Sequence, residues 1–123
     1  MNRPVEYATR VAPSGVTVLV ASGRLNLTSA ASLRGQLMDL IKAGNTRLVV
    51  DFSGVDAIDS SGIGALIAAL KAARAAGGDL RISAPNEQVQ SVLTLTNLSR
   101  VLLVQADVDA SFDAVELSPA TGQ

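Results

Sequence analysis

The sequence predicts an α/β fold: a mixed, mostly parallel sheet of four to five strands, with an N-terminal antiparallel hairpin and about four helices. Runs rich in β-branched and aliphatic residues alternate with segments whose apolar residues recur at helical spacing. Such alternation is typical of parallel strands joined by right-handed helical crossovers. The length of 123 residues fits one domain, which we expect at residues 1–118, with residues 119–123 as a flexible tail.

The hairpin is predicted by two strand signals that a short turn separates. A weak signal covers residues 5–11, and the run VTVLVASGRL covers residues 16–25. The Pro13-Ser14-Gly15 turn between them is short enough to join antiparallel neighbours. If the later strands follow chain order, every right-handed crossover places its helix on the same face of the sheet. The other face is then expected to be thinly covered.

The first helix is predicted at residues 29–43. Thr28 or Ser29 is expected to cap its start, and Gly44-Asn45 to end it. Its apolar stripe recurs at the three- and four-residue spacing of one helix face and consists of Ala30, Leu33, Leu37, Leu40 and Ile41.

The centre of the chain predicts a buried strand, a loop and a second helix. LVVDF at residues 48–52 reads as the strand, and SGVD after it as a loop. Asp51 and Asp56 are therefore expected to end the strand and shape the loop rather than to bind a metal. The helix should extend to about Ala76 and stop at Gly77-Gly78. Its buried stripe consists of Ile63, Leu66, Ile67 and Leu70.

The last third predicts two more strands and two more helices. Residues 79–84 alternate as a strand, and Pro85 is expected to open the third helix. Asn97 is a plausible left-handed residue at the end of that helix. A final strand is expected at residues 101–105 and a short helix at 111–117. The stripe of the third helix consists of Val89, Val92, Leu93 and Thr96.

The composition excludes several classes of function. The chain contains no histidine and no cysteine, which removes the usual zinc sites, Ser-His-Asp and Cys-His catalysis, and disulfides. We expect no cofactor, no metal and no enzymatic activity. A net charge of −1 and 2% aromatic residues argue against a nucleic-acid partner. No apolar run reaches the roughly 18 residues of a membrane span, so neither membrane insertion nor a location outside the cytoplasm is expected.

The segment AIDSSGIGAL, at residues 57–66, contains a carboxylate, two hydroxyls and two glycines where strand turns to helix. One of its hydroxyls is expected to cap the helix. Two glycines in a first turn cost about 1 kcal/mol each relative to alanine, so Gly62 and Gly64 should permit a close backbone approach. Nucleotide-loop and nucleophile-elbow patterns are absent. Lys71, roughly 16 Å from Ser60 along the helix, cannot serve as its base.

A regulatory role suits the segment better. Backbone N–H groups and the macrodipole favour negative charge at a helix N-terminus, and a phosphoserine adds about −1.5 to −2 charges at pH 7. A phosphate there would leave the domain folded. It would still repel a partner that packs on the turn, because it adds a bulky dianion beside Asp59.

At this segment the sequence resembles the STAS domain family, in particular the small stand-alone anti-sigma factor antagonists. The likeness covers about residues 5–117 and rests on VVDFSGVDAIDSSGIGAL, supported by GRLN, AAGGDLRI and VQSVLTLTNL. It implies that Ser60, the first serine of D-S-S-G, is phosphorylated by an anti-sigma factor that is also a serine kinase. A PP2C-type phosphatase would restore the active form. The implied partner-binding residues are Arg24, Asn26, Thr28, Ser29, Asp59, Ser61, Gly62, Ile63 and Gly64.

Two residues depart from the family pattern, and two other functions stay open. The family often has aspartate where this chain has Asn26, and the loss of that charge is expected to alter recognition by the kinase. The family also commonly has glycine where this chain has Asn97. Unphosphorylated protein would free the sigma factor for transcription, as in a stress response. The alternatives are a STAS subunit of a membrane transport complex without a phosphorylation switch, and an enzyme.

Overall fold

The computed structural model describes residues 5–98 and 104–105. These residues form five strands and three helices in an order that matches the alternation expected from the sequence. The predicted helix at 111–117 and the predicted tail lie outside the described residues. The strands are β1 (Glu6–Val11), β2 (Thr17–Leu25), β3 (Arg47–Ile58), β4 (Asp79–Ser83) and β5 (Val104–Gln105); the helices are α1 (Leu27–Lys42), α2 (Ser60–Ala75) and α3 (Glu87–Leu95).

The five strands form one mixed sheet in chain order, which confirms the predicted architecture. β1 pairs antiparallel with β2, with Arg10 opposite Val18, and the other neighbouring strands are parallel. Gly15 closes the hairpin turn with a φ of 90°, a left-handed conformation that costs glycine no Cβ clash. Tyr7 fastens β1 to α1, because its hydroxyl donates to the carbonyl of Ser29. Burial raises the pKa of Tyr7, which keeps the phenol a neutral donor.

The main core lies between the helices and one face of the sheet. Alternate strand residues such as Leu19, Val50 and Ile82 are fully buried there, together with Phe52 and the apolar stripes of all three helices. The opposite face carries a smaller cluster to which no described helix contributes. Its buried members are Ala12, Val16, Val18 and Val49. The predicted one-sided arrangement of helices is therefore confirmed within the described part of the chain.

A charged cluster joins the end of α2 to β4. Arg81 is buried at 4% exposure on the sheet face opposite the main core, and it donates to Asp79 at 2.8 Å. Arg74 donates to the other oxygen of Asp79 at 3.0 Å. Burial alone would raise the pKa of Asp79, but hydrogen bonds from both arginines and from a backbone N–H lower it. The carboxylate therefore stays ionised and balances the buried guanidinium.

The prediction that β3 ends near residue 52 is wrong, since the strand continues through SGVDAI to Ile58. Asp51 and Asp56 consequently lie inside the strand rather than at its end. The extension follows from pairing with β2, which reaches as far as Leu25 opposite Ile58. The register shifts twice along this pairing, between Val20 and Ser22 and between Gly23 and Arg24, so β3 contributes more residues than β2 to the paired stretch. Neighbouring backbone, not side-chain propensity, makes this polar segment a strand.

The boundaries of α3 also differ from the prediction that Pro85 opens the helix. Asn86 is the N-cap, because its side chain accepts from the N–H of Val89 at 2.9 Å, and the helix begins at Glu87. The same amide donates to the carbonyls of Val55 and Asp56, which attaches the helix to β3. Thr96 is an exposed C-terminal cap and not part of the buried stripe. The predicted left-handed conformation of Asn97 is confirmed by its φ of 62°.

Candidate partner-binding site

The starts of α1 and α2 lie side by side at the carboxyl ends of β2 and β3. β2 and β3 are parallel neighbours and end at Leu25 and Ile58, which are paired. The N–H of Asp59 donates to the carbonyl of Leu25 at 3.0 Å. The segments of residues 24–29 and 59–64, which the family resemblance implied to share one partner-binding surface, are therefore neighbours. We refer to them jointly as the two-helix edge.

Asp59 caps α2, so the prediction that a serine hydroxyl does so is wrong. Its carboxylate accepts from the N–H of Ser61 at 2.9 Å and from that of Gly62 at 3.2 Å. The negative charge also suits the positive end of the helix dipole. Because the carboxylate satisfies two N–H groups by itself, neither hydroxyl is needed for the turn.

The two serines of the turn differ in accessibility. Ser60, the first helical residue, is exposed, whereas Ser61 is half-buried. Neither hydroxyl has a hydrogen-bond partner within the part of the chain that the structure describes. Ser60 therefore presents an unoccupied oxygen to solvent beside the Asp59 carboxylate.

The two glycines of the turn have different roles. A Cβ on Gly62 would lie 2.7 Å from Cγ1 of Ile58 and 3.1 Å from the carbonyl oxygen of Leu25. Gly62 thus permits the close approach that the sequence predicted. A Cβ on Gly64 would meet nothing within 4 Å, so that part of the prediction is wrong. Gly64 is exposed, while Ile63 between them is buried in the core at 6% exposure.

Asn26 caps α1, so the prediction of Thr28 or Ser29 is wrong by two to three residues. Its amide oxygen accepts from the N–H groups of Thr28 and Ser29 at 3.0 and 3.2 Å. The hydroxyl of Ser29 completes a capping box by accepting from the Asn26 N–H at 2.9 Å. An aspartate at this position would make the same acceptor contacts, so Asn26 retains the capping role.

The remaining predicted residues of the first segment divide into surface and interior. Arg24 and Thr28 are exposed. Ser29 is buried at 7% exposure, and its hydroxyl donates to the Arg24 carbonyl at 2.8 Å. Ser29 therefore supports the loop from inside, whereas Arg24 and Thr28 are available for contact.

Leu27 is an apolar surface residue that the sequence reasoning missed. It is 78% exposed and lies between the cap Asn26 and the exposed Thr28. It lies six positions before Leu33, which places it roughly 120° around the helix from that core position. A leucine in the first turn, off the buried stripe, was the available signal. An exposed leucine at the two-helix edge offers an apolar contact to another protein.

Two further features are absent from the described residues. No group of three or more acidic side chains there could hold a metal ion. No described helix is long and apolar enough to cross a membrane.

Comparison with known proteins shows which proteins this chain resembles. A family model for the STAS domain matches residues 7–111. A Thermotoga maritima protein named as a candidate anti-sigma factor antagonist is 29% identical over 101 residues, covering 81% of this chain and 89% of its own.

Two solved structures share the fold. The phosphorylated form of the Bacillus cell fate determinant SpoIIAA superposes with a TM-score of 0.67 at 19% identity, covering 89% of this chain and 99% of that one. A sulfate transporter family protein from Wolinella succinogenes superposes with a TM-score of 0.72 at 22% identity, covering 88% and 90%. At these identities the two structures show the fold alone.

Proposed function

Since the chain belongs to the STAS domain family, we propose that it is an anti-sigma factor antagonist switched off by phosphorylation of Ser60. The unphosphorylated protein binds an anti-sigma factor kinase through the two-helix edge and so frees the sigma factor in the cytoplasm. The kinase transfers the γ-phosphoryl group of ATP to Oγ of Ser60, which loses its proton, and ADP leaves. A PP2C-type phosphatase hydrolyses the phosphate and restores binding.

The observation that carries this proposal is the state of the Ser60 hydroxyl. A kinase needs an acceptor oxygen that it can enclose in its own active site. Ser60 is exposed at the start of α2 and its hydroxyl makes no hydrogen bond among the described residues. Ser29, in contrast, is buried and its hydroxyl is occupied on both sides. Half-buried Ser61 stands between these extremes, so exposure favours Ser60.

A phosphate at Ser60 changes the surface more than the fold. The first turn of α2 tolerates negative charge because of the helix dipole. Asp59 already caps the turn, however, so the phosphate adds a dianion next to an exposed carboxylate. A partner that packs on this edge would have to desolvate both groups or face their repulsion. Loss of binding without loss of folding follows.

The site of modification can be tested by intact mass. Incubation with the cognate kinase and ATP should add one phosphate to the wild-type protein and to Ser61→Ala, and none to Ser60→Ala. Ser61→Ala is the matched control because it removes the neighbouring hydroxyl of the same turn. Phosphate gain in Ser60→Ala, or its loss in Ser61→Ala alone, would contradict the assignment.

Leu27 should provide apolar binding energy at the two-helix edge. Replacing Leu27 with Ala should weaken partner binding about tenfold, since burying a leucine side chain contributes about 1.5–3 kcal/mol and alanine keeps only part of that contribution. Thermal unfolding should change little, because the side chain is exposed. The matched control is Leu95→Ala, another exposed leucine, at the far end of α3. Isothermal titration calorimetry compares the two, and equal affinities would remove Leu27 from the proposed interface.

The transport-complex alternative rested on Asn26 in place of the family's frequent aspartate. Asn26 caps α1 as an aspartate would, so the cap does not discriminate between the two functions. Its discriminating observation is co-purification: a soluble kinase supports the proposal, whereas a membrane permease or ATPase supports the alternative.

A further inference from the structure

The free edge of β1 has features of a self-pairing surface. β1 is the first strand of the sheet, so no described strand pairs with its outer side. Residues 8–11 are all exposed. Edge strands are commonly protected from pairing by proline, by charged side chains (lysine above all), by short length or by a bulge. Proline and lysine are both absent from EYATRV, its register with β2 is continuous, and its two charges, Glu6 and Arg10, have opposite signs.

The charges of β1 are self-complementary. Glu6 and Arg10 are four residues apart, and therefore lie on the same face of the strand. Tyr7 points to the helix side, where its hydroxyl contacts Ser32 at 3.0 Å, so the charged pair lies on the opposite side of the sheet. Both are exposed, and neither has an ion-pair partner within the described residues. Each charge is available to a second chain.

We propose that two copies of the protein pair antiparallel through β1, with Glu6 of each copy opposite Arg10 of the other. Backbone geometry restricts the choice of register. Every second residue of β1 directs its backbone N–H and C=O groups away from β2. In an antiparallel ladder these residues must lie opposite one another in the two copies, so paired residue numbers are both even or both odd. Two such registers align five residues, centred on Ala8 or on Thr9. Only the register centred on Ala8 places Glu6 opposite Arg10, and it forms two symmetric ion pairs.

The resulting dimer has two-fold symmetry and a continuous sheet across both copies. Five paired residues bury less than the roughly 1,200 Å² of a stable interface, so the dimer should be weak and concentration-dependent. A protein with a net charge of −1 offers little long-range repulsion to this approach. The inference does not rest on the proposed switch, because β1 contains none of the residues assigned to it.

Charge reversal provides the test, by sedimentation velocity of the full chain across a range of concentrations. Wild type should show a reversible monomer–dimer equilibrium that weakens as salt rises. Glu6→Arg and Arg10→Glu should each weaken the dimer by about tenfold or more, since two attractive pairs become repulsive. The double variant should recover wild-type association because it restores both pairs with the net charge unchanged.

Arg34→Glu is the matched control for Arg10→Glu, because Arg34 is an exposed arginine on α1 and the charge changes equally. It should leave the dimer unaffected. Monomer at every concentration, insensitivity to both single reversals, or failure of the double variant to recover would each overturn the proposal. Circular dichroism of all variants confirms that the comparison is between folded proteins.

Discussion

Replacing Ser60 with Asp is expected to lower affinity for the anti-sigma factor kinase by at least about a hundredfold, while Ser60→Ala binds like wild type. A hundredfold corresponds to about 2.7 kcal/mol, within the several kcal/mol that like-charge contacts and unpaired buried charges cost at interfaces. The new carboxylate would lie directly beside Asp59, the exposed cap of α2. The difference in affinity between Ser60→Asp and Ser60→Ala should decrease as ionic strength rises, because the new carboxylate and that of Asp59 are both at the surface.

Ser60→Asn separates charge from shape in this experiment. Asparagine has nearly the size of aspartate but no charge, so it should retain most of the wild-type affinity. Stability should be unchanged or slightly higher in Ser60→Asp, since a negative charge in the first turn is favourable. If Asp and Asn variants bind equally, the loss is steric and the electrostatic switch is wrong. If Ser60→Asp binds as tightly as wild type, the two-helix edge is not the regulated surface.

The order of strands and helices could be predicted because the spacing of apolar residues along the chain shows which side chains are buried. Leu33 and Leu37 in α1, and Leu66 in α2, are buried in the structure as their spacing indicated. The helix caps could not be assigned, because every candidate in these turns is a hydrogen-bond acceptor. Which of them caps depends on where the preceding strand ends. β2 runs to Leu25 and β3 to Ile58, so the residues at the boundary are Asn26 and Asp59.

The same reason explains why the candidate site was only partly predictable. The sequence places Ser60 and Ser61 next to each other in one turn, and only three-dimensional packing makes one exposed and the other half-buried. Leu27 was missed because its exposure depends on how α1 is rotated against the sheet. The adjacency of the two segments arises from the parallel pairing of β2 and β3, which lies beyond local sequence patterns.

Gly62 and Gly64 should respond in opposite directions to the same substitution. Neither has a positive φ, so the space around each position decides the outcome. Gly62→Ala is expected to destabilise the domain by about 1–3 kcal/mol, the usual cost of overpacking. Its Cβ would lie against Cγ1 of buried Ile58 and the backbone carbonyl of Leu25, and a carbonyl held in place by Asp59 cannot easily move.

Gly64→Ala should instead stabilise the domain by about 0.5–1 kcal/mol, because alanine favours the helix and the new Cβ meets nothing within 4 Å. Urea unfolding followed by circular dichroism gives both free energies, since the chain has no tryptophan. Equal stability of the two variants would contradict the close contact at Gly62.

In Gly62→Ala the start of α2 must also move away from Leu25, and Ser60 moves with it. We therefore expect slower phosphorylation of that variant even under conditions where it remains fully folded.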